Sequence, residues 1–256
     1  MNSWLLLDSG RRPPAFNMAL DEALLEAVAR LQKPVLRFYG WTEPAATFGY
    51  FQRYADVERT TSLRPLIRRP TGGGIVPHDA DWTYSLAFPP GHKWHSLKAE
   101  ASYRRVHEWI QSAFKRVGVL VELAPASRKA GPGQCFVGHE KSDLLWHGRK
   151  IAGAAQRRNQ LGLLIQGSVQ PVMAGTSRCH VPACEAADGT VAPLHAARTA
   201  QRAAPTRPDW QQAMAEVGRM DWGANWSAFE PDAALRERAA SLVRQKYSQP
   251  EFITKR

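Results

Sequence analysis

Apolar and polar positions along the chain follow two periods, and together they assign most of the secondary structure. Trp4-Leu5-Leu6-Leu7, closed by Asp8, predicts a first strand. Asn17-Met18-Ala19-Leu20-Asp21-Glu22-Ala23-Leu24-Leu25-Glu26-Ala27-Val28 repeats apolar side chains three and four apart, which predicts an amphipathic helix. Asn17 fits its N-cap, and Asp21 and Glu22 suit an early turn. Pro34 to Gly40 and Ala46 to Tyr50 predict two strands joined by a turn at Glu43-Pro44, and Leu66 to Arg69 and Thr83 to Phe88 predict two more. Helical spacing returns at Val106, Trp109, Ile110, Ala113 and Phe114, so a second long helix is expected over 101–117, followed by a strand over 119–123. Asp143 to Gly153 predicts a hairpin turning at His147-Gly148, and Leu161 to Val169 a further strand.

The stretch 176–208 is rich in Ala, Pro, Thr and Arg, has no period, and is expected to be irregular. Helical spacing resumes at 210–217 and 233–246. Helices and antiparallel-looking hairpins alternate without the regular βαβ pattern, which predicts an α+β fold with largely antiparallel sheets flanked by helices. One domain over 1–256 is expected, with the irregular segment at 176–208 and a helical C-terminal end from 209.

Composition narrows this picture. A chain of 256 residues can bury a substantial core. No apolar run is long enough to span a membrane, and the start lacks the basic region and long apolar stretch of a secretion signal, so a soluble protein is expected. Three cysteines, Cys135, Cys179 and Cys184, fit no disulfide framework and point to a reducing compartment, hence a cytoplasmic protein. A formal charge of +11 favours acidic partners, among them nucleic acid. A nucleic-acid-binding module is therefore a competing class. Against it, the basic residues are spread along the chain and the nine tryptophans sit mostly in strand and helix contexts that predict burial.

The most unusual stretch is Arg68-Arg69-Pro70-Thr71-Gly72-Gly73-Gly74-Ile75-Val76-Pro77-His78. Three glycines in a row suit a backbone that must approach a ligand closely or adopt positive φ. Such a loop, with two guanidinium groups beside it, suits a phosphate or carboxylate; it equally suits a tight hairpin with surface arginines. It is neither a Walker loop nor a dinucleotide fingerprint. Lys150 lies between the His147-Gly148 turn and Ala152-Gly153-Ala154-Ala155, where small residues admit a ligand to the backbone and an ammonium group can polarise a carbonyl. A solvated hairpin lysine is the plainer reading. Cys135, with Lys129 and His139 close in sequence, is a candidate nucleophile or else a buried inert thiol. His78 and Asp79 follow the loop, where the histidine either touches a ligand or ends the turn. Cys179-His180, Cys184 and His195 match no common metal pattern, and no metal site is expected.

These motifs resemble the lipoate–protein ligase A branch of the biotin/lipoate protein ligase superfamily. The glycine stretch, Gly148-Arg149-Lys150-Ile151-Ala152-Gly153-Ala154-Ala155-Gln156, Asn17 to Glu22, and Gly49-Tyr50-Phe51-Gln52 are similar to its motifs in the same order, over roughly two-thirds of the chain. The resemblance implies a fold like that of class II aminoacyl-tRNA synthetases and biotin synthetases. It also implies acyl transfer to a lysine of a lipoyl carrier domain, in 2-oxoacid dehydrogenases or the glycine-cleavage H protein. The first form is a ligase that uses ATP and Mg²⁺ to make lipoyl-AMP. Carried over, Arg69, Thr71, Gly72, Gly73, Gly74, His78, Gly153 and Ala154 would bind the acyl-adenylate, and Lys150 would contact the carbonyl and phosphate. Three segments depart from it. The His-Gly-Ser/Thr segment reads Gln166-Gly167-Ser168, and Cys135-Phe136 and Asp81-Trp82-Thr83-Tyr84-Ser85 are similar to the octanoyltransferases. In that alternative Cys135 takes octanoate from acyl carrier protein as a thioester, without ATP. Neither membrane nor nucleic acid is an expected partner of either form.

Overall fold

A computed structural model of the chain describes residues 2–128, 138–171 and 204–255. Cys135, Cys179, Cys184, His180 and His195, with most of the 176–208 segment, lie outside the described residues. Strand β1 (Asn2–Arg12) leads into helix α1 (Pro14–Leu31), which opens on proline, a residue whose missing N–H costs nothing there. Pro13 holds the cap position without a side-chain cap bond. Asn17 is therefore not the cap. It lies inside the helix, fully buried, donating to the Gly40 carbonyl (2.8 Å) and accepting from Arg37 Nη2 (2.7 Å).

Strands β2 (Val35–Trp41) and β3 (Ala45–Phe48) form where expected but do not pair with each other. β2 enters a large sheet, and β3 is the middle strand of a small one. A short helix α2 (Tyr54–Thr60), not anticipated from the sequence, leads to β4 (Leu66–Arg68), and β5 (Val76–His78) follows the glycines. β3 pairs parallel with β4 and antiparallel with β5. Beyond them come β6 (Trp82–Phe88), α3 (Ala99–Arg116), β7 (Glu122–Leu123, shorter than predicted), β8 (Leu144–Trp146), β9 (Arg149–Asn159) and β10 (Gly162–Val169). The predicted hairpin turn is present, with His147 and Gly148 both at positive φ (48° and 73°), the backbone that a two-residue hairpin loop requires.

Helix α4 (Arg207–Trp222) begins inside the stretch read as irregular, because Thr206 and Asp209 form a reciprocal capping box. The chain beyond it is not helical throughout. After Gly223, β11 (Ala224–Ala228) adds a parallel edge strand to β1; then come α5 (Ala233–Leu242), a π-helical turn (Val243–Tyr247) and α6 (Pro250–Ile253). Among the described residues the large sheet runs β11-β1-β2-β6-β10-β9-β8-β7 and is antiparallel everywhere except on the two sides of β1. The predicted mixed, largely antiparallel α+β fold is the one observed.

Strand alternation sends side chains to opposite faces. Leu36, Phe38, Leu163 and Ile165 meet Trp109 of α3 and Trp210 of α4 on one face. Val35 and Tyr39 meet Leu20, Leu24 and Val28 of α1 and Leu235 of α5 on the other. The sequence's tryptophans are core material: among the nine, six are buried and three half-buried. No described helix is long and apolar enough to cross a membrane.

Polar groups stitch these layers together. Arg37 and Asp21 are both fully buried and pair at 2.6 Å. The Asp21 carboxylate accepts from Arg37 Nη1 and Ser85 Oγ on Oδ1 (2.6 Å each), and from Tyr39 Oη (2.9 Å) and Gln166 Nε2 (2.7 Å) on Oδ2. Burial, then the neighbouring Asp21 charge, pushes the Tyr39 phenol well up, so it stays a donor. At the C-terminal end, Lys246 Nζ (2.7 and 2.6 Å) and Tyr247 Oη (2.6 Å) close on Glu22 of α1. Arg68 takes the carbonyls of Tyr50 (2.8 Å), Gln52 (2.7 Å), Phe252 (3.2 Å) and Ile253 (2.9 Å).

Removing one partner of a buried pair strands the other. Arg37→Met is expected to destabilise the fold by about 3–5 kcal/mol, and the Arg37→Met/Asp21→Leu double variant to recover much of that loss. Urea unfolding midpoints of the single and double variants check both outcomes.

Candidate active site

The glycine loop joins β4 to β5 and is packed backbone against backbone. A Cβ on Gly49 would fall 2.0 Å from the Gly73 carbonyl oxygen and 2.9 Å from two carbonyl carbons, so only glycine lets the chain after β3 lie against the loop. Gly73 itself has φ +88°, and a Cβ there would press on Arg69 Nη2 at 2.9 Å. Arg69 turns its donors inward, to the carbonyls of Gly72 (2.7 Å) and Gly74 (2.7 Å) and to Thr47 Oγ1 (3.2 Å). The two arginines of the motif thus grip backbone and neighbouring side chains, and both are buried, unlike the surface arginines of the hairpin alternative. Thr71 Oγ1 donates to Gln166 Oε1 (2.8 Å), which ties the loop to Asp21 through the same glutamine.

Beneath the loop, between α1, β9, β10 and the small sheet, lies a cavity of roughly 500 Å³ counting its open mouth. Six of the sequence-predicted residues line it: Arg69, Gly73, His78, Lys150, Gly153 and Ala154. Met18, Val76 and Ala155 give it apolar wall. Thr71, Gly72 and Gly74 do not reach the cavity; they belong to the loop that roofs it. Cys135 lies outside the described residues; Arg128 and His139 exchange backbone hydrogen bonds (2.8 and 3.0 Å).

Lys150 is not a solvated hairpin lysine. Its side chain is 8% exposed and Nζ lies 2.7 Å from Oδ2 of the fully buried Asp143. Gly153 makes this posture possible, since a Cβ there would fall 2.7 Å from Lys150 Cε and 2.8 Å from Nζ. Asp143 is itself held by the Tyr103 hydroxyl and by the Glu140 N–H (2.7 Å). Burial, then the Asp143 charge, pushes the Tyr103 phenol well up, so it remains the donor. Behind it, His107 donates from Nδ1 to the Tyr103 carbonyl (3.0 Å), its Nε2 has no partner among the described residues, and burial pushes its pKa down to about 4. At the other end of the cavity a second chain of hydrogen bonds runs from Arg69 through Thr47 to His78 Nε2 (2.8 Å), and from His78 Nδ1 to Asp81 Oδ2 (2.9 Å), where Ser168 also donates (2.7 Å).

Asp21, Arg37, Tyr103, Asp143 and Gln166 were not identified as site residues from the sequence. Asp143 was visible only as the first residue of a hairpin, and Asp21 only as a member of the Asn17–Glu22 helix motif with no role of its own. Chemically, the arrangement offers a fixed cation beside a trough with apolar walls. A carbonyl seated at Lys150 would have its developing oxyanion met by a charge already in place. Among the described residues no group of three or more His, Cys, Asp or Glu side chains is placed to hold a metal.

Known proteins are similar to this chain in sequence and in fold. The lipoyl protein ligase A/B catalytic domain model matches residues 13–172, well over half the chain, and the protein belongs to that family. The octanoyltransferase LipM of Geobacillus kaustophilus is 36% identical over 182 residues, 65% of this chain and 64% of its own length. That of Bacillus subtilis is 35% identical over 180 residues, 65% of each chain. The match therefore spans a little under two-thirds of these relatives. In three dimensions the chain is similar to a lipoate-protein ligase A bound with ATP (TM-score 0.72, 21% identity, 99% of both chains). It is also similar to the bi-partite lipoate protein ligase of Thermoplasma acidophilum (TM-score 0.68, 18% identity, 99% of this chain and 97% of that one). At these identities the likeness establishes the fold.

Gly153→Ala is expected to expel the Lys150 ammonium from Asp143 while leaving the sheet intact; a crystal structure of the variant that retained the 2.7 Å pair would contradict this. His107 gives a pH signature. Its folded pKa lies below the ordinary 6.5, so the unfolded chain binds the extra proton between 6.5 and about 4. Its contribution is full above that window and is lost as pH falls through it, by up to about 3 kcal/mol. Unfolding midpoints measured across the window should fall less steeply in His107→Gln than in the wild type.

Proposed function

We propose that the protein transfers an octanoyl group to the lysine of a lipoyl carrier domain, with octanoyl-acyl carrier protein as donor and no ATP. The observation that carries this reading is the pinned Lys150 ammonium on the wall of a cavity with apolar walls, in a chain about 35% identical to octanoyltransferases. The sequence alone leaned to the ligase form through lipoyl-AMP. The named activity of these relatives moves the weight to transfer through Cys135. The ligase form would need a cradle for a triphosphate and Mg²⁺. Arg69, the second cation on the cavity, directs donors at loop carbonyls and Thr47, which supports the reading without a nucleotide.

In the proposed reaction the Cys135 thiolate attacks the donor thioester, and the donor thiolate leaves with its electron pair. The carrier lysine, as the free amine, then attacks the acyl-cysteine carbonyl; the amide bond forms, the C–S bond breaks, and the amine proton passes to solvent or to the departing thiolate. Lys150 would face the carbonyl oxygen in both tetrahedral intermediates, held there by Asp143. Arg69, Thr71, Gly72, Gly73 and Gly74 would build the roof, His78 and Ala154 the walls, and Gly153 would leave room for the Lys150 stem. A cytoplasmic setting fits a free catalytic thiol.

Octanoyl-acyl carrier protein and an unmodified lipoyl domain, incubated with the protein in the absence of ATP, should yield an octanoylated carrier lysine. Mass spectrometry should also trap an octanoyl thioester on Cys135. Cys135→Ala should abolish both products, and Lys150→Ala should slow transfer by about 10²–10³-fold. Transfer that occurs only with free lipoate and ATP, releasing AMP, would replace this reading with the ligase form.

A further inference from the structure

At its far end the cavity described above is lined by Tyr39, Thr47, Thr83 and His78. The trough crosses the sheet from Lys150 on β9, past β10 and β6, to Tyr39 on β2, which is three strand spacings or roughly 14 Å. At the β2 end stands His78. On the far side of its ring lies a second cavity of roughly 660 Å³, again counting its mouth, lined by Trp41, Asp81, Trp82 and Arg207. Among the described residues, His78 is the one that lines both.

We propose that the His78 imidazole, braced by Trp41, is the end wall that sets the length of acyl chain the protein accepts. This rests on the acyl-transfer reading and adds a specificity residue to it. The ring is fixed in three ways. It stacks on Trp41 with centroids 3.8 Å apart and planes 22° from parallel. Its two nitrogens are each engaged, by Thr47 Oγ1 at 2.8 Å and Asp81 Oδ2 at 2.9 Å, so it cannot swing aside without losing one bond. Trp41 is in turn tied down through Nε1 to Thr83 Oγ1 (2.8 Å). A chain whose carbonyl sits at Lys150 therefore meets a wall with no soft rotamer behind it.

Beyond the wall the second cavity carries both indole rings and charged groups, since Trp41 and Trp82 line it beside Asp81 and Arg207. If the imidazole is removed, two or four further methylenes would reach the indole faces of Trp41 and Trp82 and the space that opens to solvent. The expected variant accepts longer chains and gains nothing for shorter ones.

The test compares octanoyl-, decanoyl- and dodecanoyl-acyl carrier protein as donors to a lipoyl domain, for wild type, His78→Ala and Trp41→Ala, with circular dichroism to check folding. Calorimetry with free octanoate, decanoate and dodecanoate gives the binding profile apart from turnover. The wild type should disfavour dodecanoyl against octanoyl by at least about tenfold in kcat/KM, and His78→Ala should raise the dodecanoyl-to-octanoyl ratio by at least about tenfold. A ratio unchanged in the folded variants, or an equal loss at every chain length, overturns the wall. A wild type that uses dodecanoyl as well as octanoyl overturns it without any variant. Failure of the wild type to transfer or bind any of the three acyl groups would instead remove the acyl-transfer reading itself.

Discussion

One carboxylate organises this protein. Asp21 sits inside α1 without access to water and accepts hydrogen bonds from four side chains on three strands of the large sheet. Taking a charge out of water is expensive, and such a group is tolerable only when its lone pairs are all answered. The answer fixes the distance and rotation of α1 over the sheet, because Arg37, Tyr39, Ser85 and Gln166 must converge on it together. Gln166 then passes the constraint on to Thr71 and hence to the glycine loop. Roof and floor of the cavity share a single anchor. A hydrophobic replacement would bind the layers as strongly but would not specify their register.

The second organising constraint is steric. Gly49, Gly73 and Gly153 each leave out a Cβ that would overlap a neighbour, and the neighbours are the loop backbone, Arg69 and the Lys150 stem. The glycines thus bring chain to chain, and only indirectly chain to ligand. Gly72, where a Cβ would meet nothing within 4 Å, shows that not every glycine of the triplet has a steric duty.

Period and turn chemistry made the frame legible in the sequence. The long helices, the buried strands and the His147-Gly148 hairpin follow from side-chain spacing and local backbone preference, both short-range. Pairing was not legible, since nothing in Pro34 to Tyr50 says that β2 and β3 part company into different sheets. β11 was hidden because Ala224 to Ala228 carries only a weak apolar pattern, with Trp226 and the buried Ala224, between two strong helices. At the site, Lys150 and the glycine loop stood out by composition and neighbours. Asp143 and Tyr103 did not, because what distinguishes them is whom they face across the fold. The arginine pair was legible only in part, for a related reason. Guanidinium groups beside glycines suggest an anion, but the donors of both are met in large part by carbonyls that only the folded chain brings near.

The tail of the chain bears on where this catalytic unit stops. The segment shared with the family ends at residue 172, yet Arg68, at the head of the glycine motif, caps its guanidinium with carbonyls from Phe252 and Ile253. Glu22 of α1 likewise relies on Lys246 and Tyr247 from the π-helical turn. Excising the shared segment alone would leave a buried arginine and a buried glutamate facing empty space at the loop's root. Any shuffling of this module between proteins would have to carry its last helices along, or supply substitute carbonyls and cations from a new neighbour.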